Sequence, residues 1–262
     1  MASVDQPDCP PTPNALPPSG RTEIVMNEHI AKAFDLDLRD LARKVAEMGG
    51  LAEKQISQAV SALAKRDAGL ARRAVTSDSA IDAFQREIEE KATLTIARRQ
   101  PMATDLRVVI SALRVANDLE RIGDLAKNIA KRVAMLNGDF HPPRLIRGIE
   151  HMTDLVLDRL KTVLDAYAAL DLEAAHAVWR GDEEIDAMCT SLFRELLTYM
   201  IEDPRNITFC IHLMFCAKNI ERIGDHATNI AETVHYMIEG QPLSDPRPKR
   251  DTTALDPLPL SS

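Results

Sequence analysis

Aromatic side chains are scarce in this 262-residue sequence, at 4%, so its 45% hydrophobic content is carried by Ala, Leu, Ile, Val and Met. With abundant Asp, Glu, Arg and Lys around them, that is the composition of helices packed on helices. The four cysteines (Cys9, Cys189, Cys210, Cys216) form no CxxC and no framework spacing, and a chain this long needs no disulfide staples. A reducing cytoplasm suits that usage. Long apolar runs are missing too. The most apolar stretch, Ile207–Ala217, is about half of the roughly 20 residues that span a bilayer and reads as a buried helix face. The N-terminus lacks a basic stretch followed by an apolar one, so no signal peptide is expected. Positive charge is also short: the net charge is −8 and the pI about 5.4. Arg72-Arg73 and Arg98-Arg99 are isolated pairs, and nucleic acid is not an expected partner.

The usual catalytic signatures are absent as well. There is no G-x-x-x-x-G-K-[ST], no G-x-G-x-x-G after a strand and no G-x-S-x-G. A di-iron carboxylate bundle wants Glu-x-x-His, whereas three residues after Glu120 and Glu221 stand Gly123 and Gly224. No residue is assigned a catalytic role.

Proline is present but confined. Six of the 15 prolines fall in residues 1–20 and five in residues 241–262, which marks both ends as disordered tails. The other four, Pro101, Pro142, Pro143 and Pro204, stand where periodic segments stop. Apolar spacing of three and four predicts helices from Thr22 to about Arg66, with a bend at Gly49-Gly50, from about Leu70 to Arg99, and from Pro101 to the Asn137-Gly138 terminator. The plan then repeats, with one helix to about Leu170, one from the N-cap Asp171 to Glu202, and one from Asp203-Pro204 to Gly240.

The repeat is explicit in the sequence. Glu120-Arg121-Ile122-Gly123-Asp124 returns as Glu221-Arg222-Ile223-Gly224-Asp225, and the match extends through Asn128/Asn229 to Ala130/Ala231. Asp67/Asp171, Asp78/Asp182 and Asp82/Asp186 share an offset of 104, which falls to 101 before the third helix of each unit. The expected fold is all-α, with two tandem pseudo-repeated three-helix bundles of six long helices and Pro-rich tails. Its expected divisions are 1–21 and 241–262 as tails, 22–140 as the first bundle and 141–240 as the second.

Each unit carries a D-x-x-x-D on its second helix and an E-x-x-x-D on its third. At i, i+4, i+8, Glu120, Asp124 and Asn128 share one stripe, as do Glu221, Asp225 and Asn229. If neighbouring helices bring the pairs together, four carboxylates must take up protons or bind a cation. Oxygen-only donors favour Mg²⁺, Mn²⁺ or iron over a zinc-type site. A solvated face of i, i+4 acids interleaved with Arg121, Arg222 and Lys127 is the plain alternative. The Gly in each motif costs about 1 kcal/mol against Ala, offset either by tight helix packing or by room for an ion. His212 and Cys216 have metal spacing but read as core, and His226 stands where the first repeat has Leu125.

The duplicated E-R-I-G-D-x-A-x-N-I-A helices, the D-x-x-x-D helices before them and the segment Gln100-Pro101-Met102-Ala103-Thr104-Asp105-Leu106-Arg107 resemble the PhoU family over about residues 22–240. The resemblance implies two three-helix bundles, frequent homodimers, and metal ions (iron, manganese, magnesium or zinc) held by Asp78, Asp82, Glu120, Asp124 and Asn128 in one bundle. In the other the ligands would be Asp182, Asp186, Glu221, Asp225 and Asn229. It further implies a cytoplasmic protein, peripheral to a membrane complex, that represses the phosphate-starvation response in high phosphate. That role would link a phosphate-sensing histidine kinase to the ATPase subunit of the Pst phosphate transporter and modulate uptake. A metal-dependent helical-bundle enzyme or a metal-binding scaffold is the alternative. The second unit reads Gly181-Asp182-Glu183-Glu184-Ile185-Asp186 where the first reads Ser77-Asp78-Ser79-Ala80-Ile81-Asp82, so the two sites need not hold the same ion.

Overall fold

A computed structural model describes residues 20–136 and 142–244, with side chains from residue 33 onward. The expected tails, apart from residues 20–21, which open α1, and residues 241–244, and the Asn137-Gly138 terminator lie outside the described residues. Every regular element among the described residues is helical: α1 (Gly20–Lys65), α2 (Ala68–Arg99), α3 (Thr104–Val133), α4 (Pro143–Ala169), α5 (Leu172–Arg180), α6 (Asp182–Glu202) and α7 (Ile207–Glu239), with a 3₁₀ turn at Pro204–Asn206 before α7. The two units start their second helix with the same device. Asp67 Oδ1 accepts from the backbone N–H of Gly69 and Leu70 at 2.8 and 2.9 Å, and Asp171 Oδ1 accepts from Ala174 at 3.0 Å, each satisfying amides that the first turn leaves orphaned.

Three local expectations change. α1 runs unbroken through Gly49-Gly50; the lost Cβ of Gly49 instead admits Leu164 of α4, whose Cδ1 stands 2.6 Å from where that Cβ would be. α3 begins at Thr104, three residues after Pro101. The helix expected from Asp171 to Glu202 is interrupted at Gly181, whose N–H is shared between the carbonyls of Ala177 and Val178 at 3.2 and 3.1 Å. Arg159 of α4 sits at the break. Its Nη1 stands 1.8 Å from the position a Cβ on Gly181 would take, donating to the Ala177 carbonyl at 3.4 Å while Nη2 reaches Glu184 Oε2 at 2.7 Å. In the first unit the equivalent position holds Gln55, and α2 continues without a break.

Helices α1, α2 and α3 pack on one another, as do α4, α5, α6 and α7, and the two groups meet along α3–α7 and α1–α4. Apolar side chains from both groups fuse into one core, including Ile56, Ile81, Leu119 and Ile122 on one side and Ile149, Leu160, Ile220 and Ile223 on the other, all at most 1% exposed. The fold is therefore the all-α, two-unit arrangement of six rods, with the middle rod of the second unit in two pieces.

Candidate functional site

The motif glycines serve packing. A Cβ on Gly123 would meet Ile81 Cδ1 at 3.0 Å, and one on Gly224 would meet Ile185 Cδ1 at 2.9 Å. Ile81 and Ile185 are themselves repeat partners, so each missing Cβ lets the second helix of a unit close on the third and bring its carboxylates alongside.

In the first unit, Glu120 of α3 lies in the field of Asp82 and Asp78 of α2 as well as of Asp124. Burial, opposed by Arg121 and reinforced by those three carboxylates, holds its carboxyl above the usual range. Lys127 fills the gap between helices, its ammonium hydrogen-bonded to Asp78 Oδ2 and Asp124 Oδ1. Burial works against that charge, but the two hydrogen bonds and the two carboxylate charges outweigh it and hold Lys127 above its ordinary value. Gln55 Nε2 donates to the Ala74 carbonyl at 3.0 Å and to Asp78 Oδ1 at 3.4 Å. Glu120 Oε2 is buried without a hydrogen bond; Arg121 Nε stands 3.4 Å away as an ion pair only.

The second unit repeats the placement with different partners. Glu221, 7% exposed, lies in the field of Asp225 and of Asp186 on α6. Its Oε1 accepts from Lys218 Nζ at 2.8 Å, and its Oε2, like that of Glu120, is buried without a hydrogen bond. Asp182 accepts from Thr228 Oγ1 at 2.9 Å. Thr228 is the counterpart of Lys127, and Lys218 the counterpart of Asn117. Each cluster thus has its own lysine, from opposite flanks of the motif.

The two asparagines go elsewhere. Each step of four residues rotates about 40° around a helix, and by the third position the stripe has turned toward the seam between the units. Asn128 lines a cavity there with His212, and Asn229 donates to Asp118 Oδ1 at 3.4 Å. His226 Nδ1 donates to the same oxygen at 2.9 Å, so His226 joins the bundles. His212 Nδ1 lies 3.3 Å from Arg132 Nη1 at the seam rather than in the core, whereas Cys216 is fully buried and its thiol is pushed up to about 12 by burial. Motif spacing alone does not mark Asp118, Lys127, Lys131, Arg132 and Lys218 as site residues. The available signal was the pairing of unlike residues at the 101 offset, as in Lys127/Thr228 and Asp118/Asn219.

These clusters offer an all-oxygen donor set, and in both copies the same carboxylate oxygen is buried and without a hydrogen bond, which suits a hard cation. The side chains are not closed around one: among the described residues no three His, Cys, Asp or Glu groups converge as a metal site, and in the first unit an ammonium already bridges two of the acids.

The PhoU domain model matches twice, over residues 45–133 and 149–234. The chain belongs to the PhoU family. A PhoU homolog of the phosphate-specific transport system from Rhizobium meliloti is 56% identical over 226 residues, covering 86% of this chain and 95% of the relative. The crystal structure of PhoU from Pseudomonas aeruginosa superposes with a TM-score of 0.76 at 40% identity, covering 79% of this chain and all of that one. PhoU from Streptococcus pneumoniae gives 0.75 at 29%, covering 80% and 99%. The family is one of accessory and regulatory proteins, not enzymes, and both PhoU domains contain a carboxylate-bearing helix pair.

Glu221 carries a prediction with a defined sign. Burial first, then the charges of Asp225 and Asp186, outweigh the Lys218 hydrogen bond and raise its carboxyl pKa. A raised folded value means that Glu221 favours folding below the unfolded carboxyl pKa of about 4.3, and that this contribution is lost as pH rises through the folded value. In chelator-treated protein, Glu221→Gln is expected to raise stability at pH 7, the gain shrinking toward pH 4. Thermal melts at the two pH values check this; a lower melting temperature at pH 7 would show that the Lys218 pair outweighs the burial cost.

Proposed function

We propose that this PhoU-family chain is a cytoplasmic regulator of phosphate transport that represses the phosphate-starvation response when phosphate is plentiful. It acts by linking a phosphate-sensing histidine kinase to the ATPase subunit of the Pst phosphate transporter. The observation that carries this reading is the 56% identity to a phosphate-specific transport accessory protein across both repeats. The chain's own features agree with an output through protein contacts: none of its described helices is long and apolar enough to cross a membrane, and its net charge of −8 disfavours nucleic acid. Homodimerisation, and division into units at 22–140 and 141–240, belong to the same proposal.

The carboxylate clusters are the proposed metal-responsive part. Asp78, Asp82, Glu120 and Asp124 would hold iron, manganese, magnesium or zinc once Lys127 swings out, and Asp182, Asp186, Glu221 and Asp225 would do so in the second unit. Asn128 and Asn229, turned toward the seam, would join only after a side-chain rotation. A starvation-promoter reporter in high phosphate tests the regulatory role. Loss of the protein is expected to leave the reporter on, and deleting the sensing kinase as well is expected to silence it again. A deletion strain that still silences the reporter normally would overturn the proposal.

A further inference from the structure

Helices α3 and α7 run antiparallel, as their contacts show: the Arg114 guanidinium lies 4.6 Å from the Tyr236 ring, Asp118 meets His226, and Arg132 meets His212. Because α3 and α7 are repeat counterparts, the two ends of their seam are equivalent places, and each holds a cavity. The net charges at those ends are of opposite sign, Asp118 and Glu232 with Arg114 at one and Lys131 and Arg132 at the other. One cavity, of about 520 Å³, is lined by Asp118, Asn229, Glu232, Thr233 and Tyr236 among others. At the same repeat positions the other, of about 290 Å³, is lined by Asn219, Asn128, Lys131, Arg132 and Met135, with His212 added. Asp118 has become Asn219, Glu232 corresponds to Lys131, and Thr233 to Arg132. Among the described residues no carboxylate lines the smaller cavity, in a chain that carries eight net negative charges.

Among the described residues neither Lys131 nor Arg132 pairs with a carboxylate, and Arg132 Nε is buried with no hydrogen-bond partner, a group that ordinarily finds an acceptor. The Arg132 guanidinium lies 4.1 Å over the Phe215 ring, which fixes its plane and leaves its edge for ligands. Arg132 donates from Nη1 toward His212 Nδ1 at 3.3 Å; a ring nitrogen that accepts leaves the proton on Nε2, so neutral His212 is a further donor. Two amide side chains complete the wall. A planar fork, an ammonium, an imidazole N–H and two amides, with no competing acid among the described residues, is a donor set for a compact polyoxyanion.

We propose that this end of the seam binds a small tetrahedral oxyanion, with Arg132 and Lys131 supplying charge and His212, Asn128 and Asn219 supplying neutral donors. The site stands on this geometry; the choice of inorganic phosphate as its ligand rests on the regulatory reading above. Bound there, the anion would tie α3 to α7 and so one bundle to the other.

Isothermal titration of the full chain with orthophosphate at fixed ionic strength tests this, with sulfate and glycerol phosphate titrated alongside. Saturable binding of one phosphate per chain is expected, weakened about tenfold or more by Arg132→Gln and by Lys131→Gln and unchanged by Arg43→Gln, which removes a charge of the same sign from α1. Lys131 is exposed, so its variant keeps the test valid if Arg132→Gln unfolds. Tighter binding of glycerol phosphate than of orthophosphate would support the site and assign it to the phosphate group of a larger molecule. No phosphate binding, or binding that both variants leave intact, overturns the proposal. The reporter assay is scored in parallel. Repression by a protein that binds no phosphate sinks the site and leaves the regulatory reading standing, whereas binding without repression does the reverse.

Discussion

Lys127→Met is expected to destabilise the protein by about 2 kcal/mol at pH 7 and to make its melting temperature rise with added Mn²⁺ or Mg²⁺ more than the parent's does. The ammonium bridges Asp78 and Asp124 in a cluster that also holds Asp82 and Glu120. Taking one partner out of a buried ion pair costs about 3–5 kcal/mol because the other charge is stranded. Asp124 retains 35% of its side-chain exposure and Lys127 21%, so water recovers part of that cost. Sign and window follow from Lys127, whose folded pKa is raised. Its contribution is fully present below the unfolded lysine value of about 10.4 and is lost only as pH rises through the folded one, so the variant should be weaker across the neutral range. A divalent ion that binds the vacated carboxylates stabilises the folded state by mass action. Melts with and without metal, after chelation, make the comparison. A variant as stable as the parent and indifferent to metal would show that these acids are an ordinary solvated face.

Asp118→Ala is expected to cost about 2 kcal/mol, read from the urea midpoint. Asp118 is 8% exposed and one oxygen accepts from both His226 Nδ1 and Asn229 Nδ2 across the seam. Losing the acceptor strands a part-buried imidazole N–H and removes one hydrogen bond of Asn229, and an unsatisfied buried group costs about 1–3 kcal/mol. Asp118→Asn keeps an acceptor and should lose about half as much. A cost for Asp118→Ala within about 0.5 kcal/mol would place it among ordinary surface substitutions and remove Asp118 from the joint between the bundles.

Much of this protein was written in local pattern. The apolar spacing and the confined prolines set the helices, because amphipathic periodicity and the missing N–H of proline act within a few residues. The doubled E-R-I-G-D motif announced two units, and Asp67 and Asp171 are caps because a short carboxylate can reach the amides two and three residues on. What local pattern missed was decided by neighbours from far along the chain. At Gly181 the space of the absent Cβ takes the Arg159 guanidinium, which hydrogen-bonds the Ala177 carbonyl before the break and Glu184 after it, whereas at Gly49 that space takes the apolar Leu164 and α1 stays unbroken. Neither partner is visible from the glycine's own surroundings.

The carboxylate pairs illustrate the same division. Their residues and their shared helix face follow from spacing of four, so sequence alone determined that Asp78, Asp82, Glu120, Asp124 and their counterparts would present acids in matched pairs. Only the packing of one helix on the next decided which charges meet. Lys127 closes the first cluster and Lys218 serves the second from the opposite flank, while the drift of the helical stripe carries Asn128 and Asn229 to the seam. The reversal of charge between the two seam cavities likewise exists only once α3 and α7 lie antiparallel. Side chains at equal repeat positions then line equivalent walls, and a field depends on distances in space that no spacing along the chain contains.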